Sequence, residues 1–497
     1  MSEDEEPGDA PEQIRVRTGK RRALLEAGID PYPVTVPRTT TLAAVRAAHP
    51  DLAPDTATGK TVSVTGRIVF ARNTGKLCFA TLREGDGTTL QVMLSADRVG
   101  PDRLADWKAW TDLGDLVSVS GEVISSRRGE LSVTADAWQL AGKALRPPPN
   151  QHHGLSDEAR ARRRYVDLLV SDRARELARL RPRVLGAVRT VMAERDFVEV
   201  ETPVLQTVAG GAAARPFATR SNALDIGLTL RIALELHLKR AVVGGLERVF
   251  EIGKVFRNEG MDATHSPEFT MLEAYESWGD YNSMAALTRD LVIRVVREVT
   301  GSGVLRIAGH EVDIDVPWRE VTLFGALSDA VGHRVDSATP RSELLSLAER
   351  SQLATDASSD DGKLALQLFE HLCEHDLVHP TFVRDYPLST RPLTRRHRAD
   401  PRLTESWDLY IGGVELATAY SELADPVEQR ERLLAQARAA AAGDAEAMAF
   451  DEDFVQALEY GMPPTGGLGM GMDRLVSVLA GGPVRDVILF PLVRPAG

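Results

Sequence analysis

Two arginines in separate segments of this 497-residue chain belong to the residue types that bind a nucleoside triphosphate. Arg257 precedes a turn that Gly260 can tighten, and Phe269 follows the turn. A guanidinium group binds a phosphate through two parallel hydrogen bonds, and an aromatic ring stacks on a base. Farther along, the glycine-rich segment 466–471 leads into an apolar helix that begins near Arg474. Two arginines around one triphosphate predict an ATP site.

Each segment alone also has a simpler interpretation. Arg257 and Glu259 are compatible with an ordinary cross-strand ion pair on a surface hairpin. The glycine run is compatible with a flexible loop before a core helix. The two segments occur in this order, downstream of a predicted strand that ends at Pro203, and this combination favours the ATP site.

Acids and phenols alternate along two further predicted strands. The odd positions of 269–275 share one face of a strand, which places Glu273 and Tyr275 beside Phe269. The even positions of the second strand carry Thr418, Tyr420 and Glu422. A buried acid repels a substrate carboxylate, so two acids and two phenols predict a pocket for an amine.

The order and the residue sequences of these segments resemble those of the class II aminoacyl-tRNA synthetases. Residues 197–203 resemble motif 1 of that class, the segment around Arg257 resembles motif 2, and 466–474 resembles motif 3. The surrounding residues resemble lysyl-tRNA synthetases in particular, over nearly the whole chain. This resemblance implies a lysine–tRNA ligase, in which L-lysine and ATP give lysyl-adenylate and pyrophosphate. Lysine then passes to the 3′ end of tRNA(Lys).

The resemblance implies roles at the ATP end of the site. Arg257 would bridge the α-phosphate and the substrate carboxylate, and Arg474 would meet the γ-phosphate, so both are expected to be catalytic. Asp408 and Glu415 resemble an acidic pair that holds Mg²⁺ between ATP phosphates, and magnesium favours such hard oxygen ligands. The ATP-binding residues that the resemblance implies are Arg257, Glu259, His265, Phe269, Glu415 and Arg474.

The resemblance also implies a lysine pocket. Glu235 would receive the α-amino group, and the loop that contains Gly211 would close over the amino acid. Glu273 and Glu422 would pair with the side-chain ammonium group. The full set of implied lysine-binding residues is Gly211, Glu235, Arg257, Glu273, Tyr275, Thr418, Tyr420 and Glu422.

Four residues in this region depart from the family pattern. Leu234 stands where the family usually has proline, and His237 stands where it usually has an aromatic residue. Thr418 replaces a common asparagine, and Ala419 replaces a frequent glycine. The acids are intact, so the departures bear on lysine affinity and on the tolerance of lysine analogues.

The predicted fold class is α+β, with an N-terminal OB-fold β-barrel followed by an antiparallel-sheet catalytic domain with flanking helices. Apolar alternation predicts five short strands between Val62 and Leu140, with Val62, Val64, Ile68 and Phe70 on one face. The predicted regions are a disordered acidic tail over 1–13, a basic helical extension over 14–60, the barrel over 61–145, a proline-rich linker over 146–165, and the catalytic domain over 166–497.

The same resemblance implies that the barrel binds the anticodon. Phe79, Gln91 and Glu130 match family residues that stack on and hydrogen-bond the anticodon bases. Unpaired bases are generally read by aromatic platforms and polar edges. Basic residues cluster at 15–22 and 160–164, and each cluster suits either an RNA backbone or an ordinary solvated helix face.

Composition fits a globular protein, with 43% hydrophobic and 26% charged residues. The net charge of −13 disfavours a nucleic-acid partner only at the level of the whole chain. No apolar run is long enough to span a membrane, and the acidic N-terminus is unlike a signal peptide, so a cytoplasmic location is expected. With only Cys78 and Cys373, neither a disulfide framework nor a cysteine zinc site is expected.

Several alternatives accompany this interpretation. A possible zinc set consists of His371, Cys373, His375 and His379, because histidines spaced four residues apart on a helix can bind zinc, although exposed histidines on an amphipathic helix are the simpler account. The same chemistry could serve a paralogue that supplies lysyl-tRNA to lipid modification or a biosynthetic pathway, because 407–418 also resembles the synthetase half of two-part lysylphosphatidylglycerol proteins. A non-catalytic RNA-binding paralogue is the third possibility. Motif 1 builds the subunit interface in this family, which implies a homodimer.

Overall fold

A computed structural model of the protein describes residues 12–149, 155–262, 265–307, 309–355, 359–444 and 447–494. The chain divides into two compact units, the first reaching Arg175 and including the residues from Val493 onward, the second running from Glu176 to Leu492. The predicted tail 1–13 lies almost wholly outside the described residues, as does the centre of the predicted linker. The domain boundaries drawn from sequence therefore stay a prediction.

The first unit is built on five β-strands. Strand β1 pairs with both β2 and β4, and β5 pairs with both β3 and β4, so the five predicted strands form a barrel. Its elements, in chain order, are α1 (Glu12–Glu26), α2 (Leu42–Ala48), β1 (Thr56–Thr74), β2 (Leu77–Arg83), β3 (Thr89–Ser95), α3 (Ala96–Val99), α4 (Pro101–Trp110), β4 (Leu116–Ser125), β5 (Leu131–Gly142), α5 (Asp157–Arg162) and α6 (Arg164–Val170).

Side chains alternate between the barrel core and its outer surface. Along β2 and β3, every second residue is buried, as Cys78, Leu82, Leu90 and Leu94 show. Phe70 on β1 was expected to share the buried face but is 55% exposed. A β-bulge shifts the β1–β2 register between positions 68 and 70, which turns the side chains beyond it to the other face.

The second unit is built on an eight-stranded sheet. Its elements, together with the helix that leads into it, are α7 (Asp172–Ala193), β6 (Val198–Glu199), β7 (Leu205–Gln206), β8 (Ala218–Ser221), β9 (Ile226–Leu230), α8 (Glu235–Val243), β10 (Arg248–Phe256), β11 (Glu268–Ser277), α9 (Tyr281–Thr300), β12 (Val304–Ile307), β13 (His310–Asp313), β14 (Arg319–Thr322), α10 (Leu323–Val331), α11 (Arg341–Arg350), α12 (Asp361–Leu372), β15 (Thr381–Arg384), β16 (Ser406–Ile411), β17 (Val414–Ser421), α13 (Pro426–Ala441), α14 (Glu452–Glu459), β18 (Thr465–Gly471), α15 (Met472–Ala480) and α16 (Val484–Val487).

The strand order of this sheet is β14-β15-β16-β17-β18-β11-β10-β6. Its six central strands pair antiparallel, as predicted, and only the two outermost pairs are parallel. Helices α7 and α9 cover one face, where Val188, Val191, Leu291 and Val295 are buried in one core with Leu468 of β18. The opposite face of β18 and its neighbours is left to line a cleft.

The motif 1 segment forms less strand than its sequence predicts. Only Val198 and Glu199 are assigned to β6, which runs parallel to β10 at the sheet edge. The Val200 N–H still donates to the Phe250 backbone oxygen at 2.9 Å, but the Thr202 N–H donates to the side chain of Glu251 at 3.0 Å, so the pairing with β10 ends before Thr202.

Candidate active site

The floor of the cleft is a strand whose exposed positions carry no side chains. On β18, Leu468 and Met470 point into the core, whereas Gly467, Gly469 and Gly471 line the cleft. The cleft has a volume of about 1900 Å³, which is larger than a typical small-molecule pocket. It therefore has room for a nucleotide and an amino acid together.

Gly467 lies between two phenols. Tyr275 of β11 and Tyr420 of β17 are its cross-strand partners on either side. A Cβ atom at Gly467 would lie 1.9 Å from Oε1 of Glu422 and 2.8 Å from the Tyr275 ring. Glycine is therefore required here so that the acid and the phenol can pack over the backbone.

We expect Gly467→Ala to lower the free energy of unfolding by about 1–3 kcal/mol, because the added methyl group overpacks this contact. Chemical denaturation of both proteins measures the difference. Gly482→Ala is the matched control, since no atom lies within 4 Å of the Cβ position there, and it should change stability by less than about 0.5 kcal/mol. An alanine variant at 467 as stable as the parent would contradict this packing argument.

Three carboxylates and one ammonium group are buried beside β18. Glu235, Glu273 and Glu422 are 5%, 4% and 3% exposed, and Lys239 is fully buried. The Lys239 Nζ lies 2.5 Å from Oε1 of Glu235 and 2.5 Å from Oε2 of Glu422. The first contact is a hydrogen bond, whereas the second is an ion pair without hydrogen-bond geometry. When all four groups are charged, the cluster keeps two uncompensated negative charges.

This arrangement differs from the one expected from sequence. Glu422 was predicted to pair with the ligand ammonium group, but it is 3% exposed, packs over Gly467 and contacts Lys239. Glu273 does line the cleft, where it accepts hydrogen bonds from the Tyr275 hydroxyl at 3.2 Å and the Leu234 N–H at 2.9 Å. Lys239 was missed, although its position four residues after Glu235 on a helix is a recognisable ion-pair spacing.

Burial disfavours charge on these acids. It raises the pKa of Glu273 to about 7, and the nearby Glu235 carboxylate adds to the rise. Burial raises the pKa of Glu422 to about 8, although Lys239 opposes the shift. For Lys239, burial acts to lower the pKa, but the Glu235 and Glu422 carboxylates outweigh it and raise the pKa overall. Two carboxyl groups are thus able to gain or lose a proton near neutral pH.

The four departures from the family pattern have different positions. Proline has no N–H, so Leu234 supplies the donor to Glu273 that a proline there would lack. Ala419 is fully buried on the core face and does not line the cleft. His237 contacts Gln206 at 3.3 Å, and burial lowers its pKa. Thr418 lines the cleft.

Both predicted catalytic arginines line this same cleft. The Arg257 guanidinium lies over the Phe269 ring at 5.2 Å, within the range of a cation–π contact. Arg474 donates to the backbone oxygen of Glu415 at 2.7 Å and lies 3.4 Å from its carboxylate. The residues predicted from two distant segments are therefore brought together, with Arg257 and Arg474 in one cavity.

His265 links the hairpin to the second arginine segment. Its Nδ1 lies 2.8 Å from Oδ2 of Asp262, and its Nε2 lies 3.3 Å from Nη2 of Arg474. The contacts assign the proton to Nδ1, so that Nε2 accepts from Arg474. Glu259 accepts a long hydrogen bond of 3.3 Å from the Arg215 N–H, and its side chain also lines the cleft.

The predicted metal-binding acids lie on neighbouring strands, Asp408 on β16 and Glu415 on β17. Asp408 is 3% exposed, and its Oδ1 has no hydrogen-bond partner within the part of the chain that the structure describes. Burial and then the charge of Asp408 raise the pKa of Glu415, but water reduces this effect because 41% of the Glu415 side chain is exposed. An orphaned carboxylate oxygen beside a reachable carboxylate fits a hard divalent cation.

Arg391 complicates this pair, and sequence analysis did not identify it. Its guanidinium lies 2.5 Å from Oδ2 of Asp408, and the residue lines the cleft. Asp408 itself was expected in the cleft with the two arginines but is not part of its lining.

The histidine cluster considered for zinc lacks the required helix. Helix α12 ends at Leu372, so His375 lies in a separate short turn and His379 beyond it. All three histidines are exposed, and His371 contacts the backbone oxygen of Ser351 at 2.9 Å. Across the described ranges, no group of three or more histidine, cysteine or acidic side chains is arranged to hold a metal.

The three residues predicted to read bases lie close together in the barrel. Phe79 on β2 and Gln91 on β3 are on the outer face of adjacent strands. The Gln91 side chain donates to the Ser132 hydroxyl at 2.9 Å, and that hydroxyl donates to the Glu130 backbone oxygen at 2.9 Å. Arg72 lies over the Phe79 ring at 5.3 Å.

Comparison with known proteins agrees with this architecture. Residues 156–494 match a family model described as tRNA synthetases class II (D, K and N), and residues 62–141 match an OB-fold nucleic acid binding domain. The chain therefore belongs to the class II aminoacyl-tRNA synthetases, with an OB-fold domain preceding the synthetase domain.

Individual relatives identify the branch of that class. A lysine–tRNA ligase of Mycobacterium tuberculosis (strain ATCC 25177 / H37Ra) is 57% identical, with 100% of this chain and 99% of the relative covered. A lysine–tRNA ligase of Kineococcus radiotolerans is 55% identical over 99% of each chain. The lysylphosphatidylglycerol biosynthesis bifunctional protein LysX of Mycolicibacterium vanbaalenii is 47% identical, but only 45% of its length is covered. Within the class, this chain is a member of the lysine–tRNA ligase family, an enzyme family of ligases.

No helix among the described residues is both long and apolar enough to cross a membrane.

Proposed function

We propose that the cleft binds lysine through the charge balance of its buried acids and activates it with ATP. The three carboxylates and Lys239 leave two negative charges uncompensated, and lysine carries two ammonium groups. A substrate with one ammonium group would leave one buried carboxylate unpaired, which is costly in a low dielectric. This charge count is the observation that supports lysine as the substrate.

Activation needs no nucleophile from the protein. An oxygen of the lysine carboxylate attacks the α-phosphorus of ATP, the bond to the bridging oxygen breaks, and pyrophosphate leaves with that electron pair. Arg257, next to Glu273 and the Phe269 ring, is placed to hold the lysine carboxylate and α-phosphate together. Arg474 is placed to neutralise the far end of the triphosphate. Catalysis then consists of positioning and charge stabilisation.

Glu259 and His265 lie beside these arginines and are assigned to the adenine and phosphate ends of ATP. Gly211 supports closure of its loop over the amino acid, because a Cβ there would lie 3.0 Å from the Ala233 Cβ and 3.2 Å from the Glu235 Cβ. Thr418 and Tyr420 complete the lining next to Gly469 and Gly467.

Glu415 and the free oxygen of Asp408 are the groups that would hold Mg²⁺. The bound ion would neutralise negative charge on the ATP phosphates. The protein residues orient the triphosphate and keep Asp408 buried next to Arg391.

ATP–pyrophosphate exchange tests this proposal directly. Exchange should depend on lysine and should not be supported by aspartate or asparagine, whose side chains bring a carboxylate or an amide to an acidic pocket. Aspartate-dependent exchange, or no exchange with lysine, would refute the assignment.

The pKa values of Glu273 and Glu422 make lysine affinity depend on pH. Binding of an ammonium group favours ionised carboxylates, so affinity should fall as the pH drops below about 8 and then about 7. Titration of each carboxyl group changes the lysine affinity by at most about tenfold per pH unit. Calorimetric titration with lysine at several pH values measures this and should also detect proton release. Glu273→Gln should remove the part of the pH dependence near pH 7. A lysine affinity that does not change between pH 6 and pH 8 would contradict the prediction.

The same shifts affect stability with a defined sign. Both pKa values are raised in the folded protein, so the folded state holds protons that the unfolded chain has lost. Their contribution to stability is therefore complete below the ordinary pKa of about 4.3 and is lost as the pH rises through about 7 and 8.

The barrel is assigned to the anticodon of tRNA(Lys). We expect Phe79→Ala to leave pyrophosphate exchange unchanged but to weaken tRNA binding by about 1–3 kcal/mol, the loss of one base stack. Tyr460→Ala is a control, since this exposed aromatic residue lies in the second unit, outside the barrel. Equal losses in exchange and tRNA charging would contradict the separation of roles.

A homodimer in the cytoplasm completes the proposal. Strand β6 is an outermost strand of the sheet, and Val198, Val204 and Leu205 around it are 50%, 38% and 51% exposed. Exposed apolar side chains at an edge favour burial against a second copy. Light scattering after size-exclusion chromatography should give twice the mass of 54.1 kDa, and a monomer at micromolar concentration would contradict it.

A further inference from the structure

Arg391 places a fixed positive charge at the acidic end of the cleft. It directly follows the short turn Leu388–Thr390, and its side chain is 21% exposed. Its Nη2 lies 2.5 Å from Oδ2 of Asp408, whose side chain is only 4% exposed. The pair thus combines a buried carboxylate with a guanidinium group that reaches it from the cleft.

Two aromatic rings keep this guanidinium in place. It lies over the Tyr386 ring at 4.5 Å and near the Tyr420 ring at 5.8 Å. Tyr386 is fully buried, so one wall of this arrangement belongs to the core. Contacts with two rings and a carboxylate favour a stable position of Arg391 over a mobile one.

The position of Arg391 limits Asp408 as a metal ligand. One carboxylate oxygen is occupied by Arg391, while the other has no hydrogen-bond partner among the described residues. Glu415 already contacts Arg474 at 3.4 Å. A divalent cation between the two acids would therefore experience repulsion from two guanidinium groups at short range.

We propose that Arg391 is a positioning residue that neutralises Asp408 and thereby weakens divalent-cation binding at the Asp408–Glu415 pair. This rests on the proposed function, in which that pair faces the ATP phosphates. Glu415 and one oxygen of Asp408 then remain for the ion. Neutralisation of the triphosphate depends correspondingly more on the arginines that line the cleft.

Mn²⁺ binding to the nucleotide-free protein tests the inference without using catalysis. Free Mn²⁺ is measured by electron paramagnetic resonance during titration of the full chain. We expect Arg391→Ser to bind Mn²⁺ about tenfold more tightly than the parent, because a nearby unit charge has been removed. Arg391→Lys keeps the charge and should resemble the parent. Arg430→Ser removes an arginine that pairs with Glu452 outside the cleft, and it should also resemble the parent.

The double variant Arg391→Ser/Asp408→Asn identifies the ligand. It should lose the gain in Mn²⁺ affinity, because Asp408 is no longer a carboxylate. Should Arg391→Ser fail to fold in circular dichroism, Arg391→Gln takes its place with the same expectation, since its amide still donates to Asp408. Unchanged affinity on loss of the arginine charge, or a gain that survives Asp408→Asn, would overturn the inference. Absence of lysine-dependent exchange in the parent would instead refute the proposed function.

Discussion

Replacement of Arg257 by alanine should reduce lysine-dependent pyrophosphate exchange by about 10²- to 10³-fold, mainly in kcat. The guanidinium is placed to act on charge that develops at the α-phosphorus, and loss of one such preorganised donor has an effect of about this size. Burial lowers the pKa of Arg257, while Glu259 and then Glu273 oppose the shift. This half-buried cation is therefore held among acidic side chains, where an incoming phosphate would be an additional partner.

Steady-state exchange assays of parent and variant measure this effect. Arg248→Ala is a suitable control, because that arginine lies at the start of β10, far from the end next to Arg257, and pairs with Glu276 on the surface. Exchange at the parental rate in Arg257→Ala would show that this residue does not act on the reaction.

Glu422→Gln should weaken lysine activation by about 2–4 kcal/mol, expressed mainly in KM for lysine. The change keeps the shape of the side chain but removes one of the two uncompensated negative charges. Lys239 then retains Glu235 as its carboxylate partner, at 2.5 Å, so the pocket is expected to stay folded.

Glu268→Gln is the matched control for this charge. It lies at the start of β11, pairs with Lys254 and is outside the cleft lining. Its KM for lysine should equal that of the parent. If Glu422→Gln also retains the parental KM, the charge-balance account of lysine recognition fails.

Residue alternation predicted the parts of the site that lie within one strand. Glu273 and Tyr275 lie on the cleft side of β11 as their odd positions require, and the strand pairing of β10 and β11 forms the expected hairpin. Such patterns are local, because the side-chain direction of a strand follows from its period of two. Alternation gave the wrong face for Phe70 because a β-bulge interrupts the two-residue period of β1.

Contacts between distant segments could not be predicted in the same way. Lys239 reaches Glu422 from a distant segment and gives this carboxylate a partner within the protein. Arg391 meets Asp408 only because the turn after β15 approaches β16. The role of Gly467 likewise depends on Glu422, which lies above it. These features arise from packing, which a single sequence does not encode in a readable local pattern.

The central claim is that two buried negative charges recognise the two ammonium groups of lysine. The most direct test is calorimetric titration of the protein with lysine and with norleucine, which has the same carbon chain without the side-chain ammonium group. The account predicts that norleucine binds at least about 30-fold more weakly, because one buried carboxylate loses its partner. Equal affinity for lysine and norleucine would contradict it.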